Sequence, residues 1–408
     1  MELLLQSQFL QTTSALLALQ LGLGLWLFPA DFASLGWYTS AGCFVVLAAL
    51  AAYSGFLFSR LYRATPGAVL FGDIGFKAAG HLGRNIVYMV IYSLDATQCV
   101  IIHLAATQAL RHTFPEESAP PLWKCGAAVW VVACIFAQIH SLPELSWVFM
   151  TGTTAQLITI GIVLYELVMD PDPDAHHTNQ AVSFDTLAPA SVAVMNMIYA
   201  FGGQFAFVEI MSSMKKPSQF PFAVNVCTAL MSVLYATMGI IGYWSRGCSL
   251  SGIVIFSLGH SPRIRFAAGL VLVQVTSQYM INLNVWTHNL LTLSSRGGSG
   301  KSHIRSSADH GALKWLLTSV FVVTYSYLIS TSVPHFSSLV SLVTSATFLI
   351  STFALPAWFT LSLIGEELGW VERIVMWSLI PLSFVFSGIG MYGSVVSLVE
   401  NIGAGGWS

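Results

Sequence analysis

Apolar residues dominate this chain in long stretches separated by short polar punctuation, and about 20 mostly apolar residues suffice to cross the hydrocarbon core of a bilayer as a helix. That ruler predicts eleven spanning segments, roughly 10–35, 38–61, 83–110, 122–140, 143–169, 188–213, 221–245, 264–293, 312–333, 335–365 and 371–399. Two of them are interrupted. The first carries Gly22-Leu23-Gly24 and is closed by Pro29; the sixth carries Phe201-Gly202-Gly203-Gln204. Glycine pairs weaken a helix, and backbone groups freed inside a membrane persist where they are buried in protein or line a cavity. The breaks are five segments apart, so each opens a five-helix set. Interrupted segments at corresponding places of two halves are the best sequence pointer to a binding site at the midplane. The plainer alternative is that the glycines let helices pack closely.

Composition turns the segments into a class. Only 8% of the 408 residues are charged and 55% are hydrophobic, against roughly 25% charged in soluble domains. Mean hydropathy is +0.72. So small a polar complement cannot cover a soluble protein of this length, and the chain is expected to be a multi-pass, all-α membrane protein. The formal net charge of −2 leaves no basic surface for nucleic acid. Placing the N-terminus in the cytoplasm puts Arg60, Arg63, Lys77, Arg84, Lys215, Lys216, Arg296, Lys301, Arg305, Lys314 and Arg373 inside, and leaves Arg111, Lys124, Arg246, Arg263 and Arg265 outside. This is the positive-inside bias. No cleaved signal peptide is expected, since Met1 to Leu10 has neither basic residues nor a small-residue exit.

Other patterns carry no chemistry. The six cysteines are scattered through apolar runs without a CxxC pair, and each reads as a small buried hydrophobe. Gly297-Gly298-Ser299-Gly300-Lys301-Ser302 ends like a phosphate loop, but Ser295 stands where the first glycine is required and no strand precedes it. Asp170, Asp172, Asp174, His176 and His177 read as a solvated loop, and Pro143 between His140 and Glu144 breaks any metalloprotease helix. No metal, cofactor or enzymatic activity is expected.

The interrupted segments carry a resemblance. Gly22-Leu23-Gly24-Leu25-Trp26-Leu27-Phe28-Pro29, then Phe32-Ala33 and Leu35-Gly36-Trp37, resembles the first-helix signature of the amino acid/auxin permease family. Tyr199-Ala200-Phe201-Gly202-Gly203, then Glu209, Met214-Lys215-Lys216-Pro217 and Phe220-Pro221, is similar to its second signature. Asp73-Ile74-Gly75 with Gly80 and Gly83-Arg84 fits as well. The resemblance implies a leucine-transporter-like fold in one transmembrane domain, 1–408. Repeats of about 10–169 and 188–365 would be inverted with respect to each other, and a helix of about 371–399 is appended. It implies an amino acid held between the unwound parts of the first and sixth segments. This sequence departs from the family at Trp26, where Leu is usual, in its short N-terminal tail, and at Ala18, where sodium-coupled members often carry Asn.

A zwitterion in a membrane needs donors for its carboxylate and acceptors for its ammonium. Backbone N–H groups of Gly22, Leu23 and Gly24 at a half-helix N-terminus suit the first. Carbonyls of Tyr199, Ala200 and Phe201, in the break with Gly202 and Gly203, suit the second. Trp26, Tyr199 and Phe201 either wall the pocket or simply pack. Tyr88, Tyr92, Asp95, Cys99 and His103 share one helical face, expected to point inward either as functional lining or for helix–helix hydrogen bonding, with Tyr92 counted toward the substrate. Gln274, Gln278 and Asn282, beside Thr276 and Ser277, form an ion site or a structural network. The coupling candidates are Asp31, Asp95 and Glu209 for a proton, with Thr276 and Ser277 as oxygen donors to sodium. The expectation is a secondary active transporter of amino acids or close analogues, proton-coupled rather than sodium-coupled, in a plasma or vacuolar/lysosomal membrane. A membrane-embedded amino-acid sensor is the rival class.

Overall fold

The computed structural model describes residues 13, 16, 17, 20–138, 146–173, 175, 180–183, 186–214, 216–250, 252–295, 311–333 and 335–403. Ala18, His140, Pro143, Glu144, Asp174, His176, His177, Lys215 and residues 296–310 lie outside that set.

A 3₁₀ turn, Leu23–Leu27, leads into α1 (Phe28–Leu35), whose Pro29 sits in the first turn, where a missing N–H costs nothing. Next come α2 (Trp37–Ala64), α3 (Phe71–His112), α4 (Leu122–Phe136) and α5 (Ser146–Met169). The sixth segment divides into α6 (Leu187–Ala200) and α7 (Phe207–Ser213); α8 is Phe220–Arg246, α9 Pro262–Ser295 and α10 Ala312–Ser332. The tenth runs from α11 (Phe336–Val343) through two π-helical turns, Thr344–Phe348 and Ile350–Ala354, into α12 (Leu355–Ile364). α13 (Trp370–Gly403) closes the order.

Among the described residues, 9 helices are long and apolar enough to cross a membrane, and Leu23–Leu35 and Leu122–Phe136 are shorter apolar helices. These fall in the order of the eleven predicted segments, the two shorter ones at the first and fourth places. α3 begins earlier than its predicted span. Ala79 and Gly80 leave helical geometry, with Gly80 at φ 62, so residues 71–78 form a separate turn of helix before the span proper. Asp73 caps that turn by accepting the N–H groups of Val69 and Leu70, both at 3.0 Å. The family-like Asp73 and Gly80 thus build one corner.

The chain forms two compact units. The first comprises residues 1–91, 171–251 and 337–404; the second comprises 92–170, 252–336 and 405–408. Each draws on both predicted repeats. In the first, α8 packs along α1 and α2, α13 lies along α6, and α12 packs on α2 and α13. In the second, α9 runs along α5, and α10 joins α4 and α9.

One ionic cluster fastens the first unit. Arg60 of α2 meets Glu372 of α13 at 2.5 Å, and Tyr53 donates its hydroxyl to the same carboxylate oxygen. Both charged side chains are largely covered, at 29% and 26% exposure, so charge-assisted bonds here exceed the usual surface pair. Glu372→Gln is expected to cost about 1–2 kcal/mol, read as a lower melting temperature of the purified protein. An unchanged melting temperature would show that the cluster contributes nothing.

Candidate functional site

The site candidates on the interrupted segments all fall in the first unit. Helix before the first break ends where Leu21 N–H bonds Leu17 O at 2.6 Å and Gly22 N–H bonds Gln20 O at 2.8 Å. Gly22 is extended and provides no side-chain cap for the turn that follows. The N–H groups of Leu23 and Gly24 thus open a fresh helical turn, and the first donors of such a turn have no intrahelical acceptor.

The second break is made differently. Phe201 N–H and Gly202 N–H close the end of α6 onto Met197 O and Tyr199 O, at 3.2 and 3.0 Å. Gly203 then takes φ 117, a left-handed conformation that favours glycine, and a 3₁₀ turn, Gln204–Ala206, restarts the helix. The carbonyls expected to receive an ammonium already hold internal partners. Tyr199 O accepts Gly202 N–H, Ala200 O accepts the Tyr235 hydroxyl at 2.9 Å, and Phe201 O accepts Gln204 Nε2 at 2.8 Å. Each keeps a second lone pair.

The breaks touch one another. A Cβ on Gly24 would lie 2.7 Å from Ala200 Cα, so only glycine allows the two backbones this close. Two side chains then cross-link them. Tyr235 of α8 also donates to Gln20 O, at 3.1 Å, which ties the ends of both interrupted helices to one hydroxyl. Gln20 Nε2 donates to Gly202 O at 3.3 Å, while its Oε1 accepts the Cys227 thiol at 3.3 Å.

Aromatic rings surround this junction. Tyr235 stacks on Phe28 at 4.7 Å, and Phe201 meets Phe28, Phe44 and Tyr235 edge-on between 5.4 and 6.3 Å. Phe201 is thus packed among these rings. Tyr199 instead sets its ring against Phe348, 5.3 Å away in the first π turn. Trp26 is fully buried, and its indole N–H has no hydrogen-bond partner among the described residues.

The π turns face the second break. Phe348 closes over Gly202 so tightly that an added Cβ would overlap its ring, and Thr352 donates to Gln204 Oε1 at 3.3 Å. Such π-helical turns are often found at functional sites. Gly202→Ala is expected to reduce uptake by about fivefold or more through overpacking, which costs ~1–3 kcal/mol. Phe348→Leu in the same chain should restore part of it. If the double variant is no better than the single one in a liposome uptake assay, Phe348 is not the obstacle.

The three first-unit residues named for chemistry beyond the breaks separate clearly. Asp31 is buried, at 3% exposure, and its Oδ1 accepts Asn196 Nδ2 at 3.0 Å; the same nitrogen donates to Ser337 Oγ at 2.8 Å. The alternative of a local helix cap at Asp31 gives way to a tertiary bond. Glu209, in the first turn of α7, is exposed. Tyr88 lies over Gly72 at the corner before the third span.

In the second unit, the predicted stripe on α3 turns inward. Asp95, Cys99 and His103 are buried and Tyr92 is half-buried, its ring 5.9 Å from Trp286. Asp95 Oδ2 accepts Asn289 Nδ2 at 2.9 Å, and His103 Nδ1 bonds Ser330 Oγ at 2.9 Å. Both are helix–helix hydrogen bonds. On α9, Ser277 donates to Val273 O at 2.8 Å and packs where Gly152 of α5 leaves room; Thr276 is half-buried. Gln274 Nε2 reaches Gln278 Oε1 at 3.4 Å, and Asn282 donates to Gln278 O at 2.8 Å, a network within the helix.

Sequence reasoning missed Gln20, Asn196, Gln204 and Tyr235. Gln20 and Gln204 flank the two glycine motifs, which is a usable signal. Asn196 stands one turn before the second break, a polar residue in an apolar run, and was equally visible.

The model of the family described as transmembrane amino acid transporter protein matches residues 6–400. Amino acid transporter AVT3C of Arabidopsis thaliana is 26% identical over 339 residues, covering 80% of this chain and 74% of that one. Amino acid transporter AVT3B of the same plant is 24% identical over 413 residues, 97% and 95% of the two chains. Among solved structures, MhsT in complex with L-phenylalanine superposes with a TM-score of 0.62 at 15% identity, over 94% of this chain and 98% of that one. That likeness shows the fold, which is leucine-transporter-like with its first and sixth segments broken. The relatives are named as transporters rather than enzymes. This multi-pass membrane chain belongs to the transmembrane amino acid transporter family.

Proposed function

We propose that the chain moves amino acids by proton-coupled secondary active transport, with the paired breaks as the substrate site. One observation carries the reading: two helix interruptions in backbone contact at Gly24 and Ala200, cross-linked by Tyr235 and Gln20. A donor-rich turn start at Leu23 and Gly24 stands beside an acceptor-rich helix end at Tyr199, Ala200 and Phe201. This is the polarity an α-amino acid needs, with its carboxylate at a helix N-terminus and its ammonium at a C-terminus. The ammonium takes the second lone pairs of carbonyls that Tyr235 and Gln204 already hold in place. Preorganised acceptors of this kind cost little to orient when the substrate arrives. Gly22, Gly202 and Gly203 let the backbone bend, and Trp26 and Tyr199 bound the side-chain end. The complex of MhsT with L-phenylalanine supports an amino acid ligand.

Segments one, two, six and seven fall in the first compact unit, together with segments ten and eleven. That grouping supports alternating access in which these segments move together. Asp31, Asp95 and Glu209 are the carboxylates available to a proton. Sodium would draw instead on Thr276 and Ser277, and the Ser277 hydroxyl is already committed to its own helix.

A thermal-stability panel with the proteinogenic amino acids tests the site directly. A ligand at 100 times its Kd adds about 2.7 kcal/mol, so the true substrate class is expected to raise the melting temperature in the wild type and not in Gly24→Val. Uniform indifference to every amino acid would count against the reading.

A further inference from the structure

The pairing of Asp31 with Asn196 stands out among buried polar groups of the first unit. One hydrogen bond joins them, from Asn196 Nδ2 to Asp31 Oδ1. The two atoms left over, Asp31 Oδ2 and Asn196 Oδ1, are both buried and both without a partner among the described residues. Both are acceptors, and leaving buried acceptors unpaired in the same pair of groups is costly. A single proton on Asp31 Oδ2 would convert one orphan acceptor into a donor and give it the other to bind. The result is a carboxylic acid paired with a primary amide through two hydrogen bonds. A sodium ion fits less well, because the Asn196 nitrogen already occupies Asp31 Oδ1 and Ser337 Oγ, and too few oxygens remain for a cage.

Position gives the pair a functional meaning. Asp31 lies on α1 just beyond the first break, Asn196 on α6 one turn before the second, and Ser337 at the start of α11, which leads into the π turns. We propose that Asp31, paired with Asn196 and steadied by Ser337, is the proton-binding site of this transporter. The inference rests on the transport reading above and narrows its three carboxylates to one. Protonation locks α1 to α6 through the acid–amide pair; loss of the proton leaves a single bond and loosens them. Proton occupancy is thereby linked to the relative position of the two breaks that hold the substrate.

The neighbouring titratable groups do not compete for this role. α2 carries Cys43 and α6 carries Tyr199, while the hydroxyls of Tyr235 and Tyr243 on α8 are bonded to backbone carbonyls. Arg246 and Cys248 end α8 and the turn after it, and on α13 Tyr392 and Glu400 are exposed. α11 itself has no titratable side chain, and His335 precedes Ser337 by two residues in the chain. Among the described residues, Asn196 is the one polar partner acting on the Asp31 carboxyl.

The test reads the proton itself, without transport. Acid-minus-alkaline infrared difference spectra of the full chain in lipid nanodiscs are expected to contain a carboxylic C=O band that shifts in heavy water. Asp31→Asn should remove it; Glu209→Gln, Asp95→Asn and His335→Gln should retain it. Asn196→Val should move the band, since the acid loses its amide partner, and this variant decides the matter if Asp31→Asn fails to fold. A band that survives Asp31→Asn in folded protein, or is unmoved by Asn196→Val, overturns the proposal. So does a sodium-dependent rise in melting temperature that Asp31→Asn abolishes, which would assign the pair to a metal cation. A wild type with the band and its Asp31 dependence but no uptake of any amino acid would sink the transport reading and leave the site standing.

Discussion

Gly24→Val is expected to abolish amino acid uptake, by about a hundredfold or more, in protein that still inserts and purifies. The reason is contact between backbones rather than loss of a group that touches substrate. The first Cβ atom alone would stand 2.7 Å from both Ala200 Cα and Ala200 Cβ, and valine adds two methyl groups beyond it. The rings of Phe28, Phe44, Phe201 and Tyr235 pack around the same junction, so the segments cannot separate cheaply. Overpacking of this kind costs ~1–3 kcal/mol in stability when neighbours shift. The larger effect falls on transport, because the shift moves the donors of Leu23 and Gly24 away from the carbonyls of α6, and about 1 Å of misplacement is enough to cost two decades in a positioned site. Gly24→Ala should lie between the two, and adding Ala200→Gly should recover part of its activity. Full uptake by a correctly inserted Gly24→Val protein would remove the first break from the site.

The second large effect is expected from Tyr235→Phe. The change keeps the ring that stacks on Phe28 and deletes only the hydroxyl. That oxygen is shared between Gln20 O and Ala200 O, so its loss leaves one part-buried and one buried carbonyl without this partner. Unsatisfying such groups costs about 1–3 kcal/mol, which corresponds to roughly 5- to 150-fold in rate if it falls on the transport cycle. The expected result is a strongly reduced turnover with a melting temperature lowered by a few degrees at most. A large fall in stability with normal turnover per folded molecule would make Tyr235 a packing residue and nothing more.

What sequence could reveal depended on how local the signal was. The breaks were legible because glycines clustered at 22 and 24 and at 202 and 203 weaken a helix, and their five-segment offset gave them meaning. The corner at Asp73 and Gly80 was equally local. The cross-links were not. Tyr235 and Gln20 are 215 residues apart, and Asp31 and Asn196 are 165 apart; no periodicity announces such pairs. The π turns of the tenth segment were invisible for another reason: residues 344–354 include neither glycine nor proline, and the widening serves a partner, Phe348 over Gly202, that only tertiary structure supplies. Phe201 was ambiguous between wall and packing because an aromatic in an apolar helix looks the same in either role.

The central claim is that this chain couples amino acid movement to a proton. Uptake of a radiolabelled amino acid into liposomes holding the purified full-length protein, driven by an inward proton gradient or an inward sodium gradient in turn, tests it most directly. The account predicts accumulation with the proton gradient alone, unchanged when choline replaces sodium, collapsed by a protonophore, and lost in Asp31→Asn. Accumulation that requires sodium and ignores the pH gradient would contradict it.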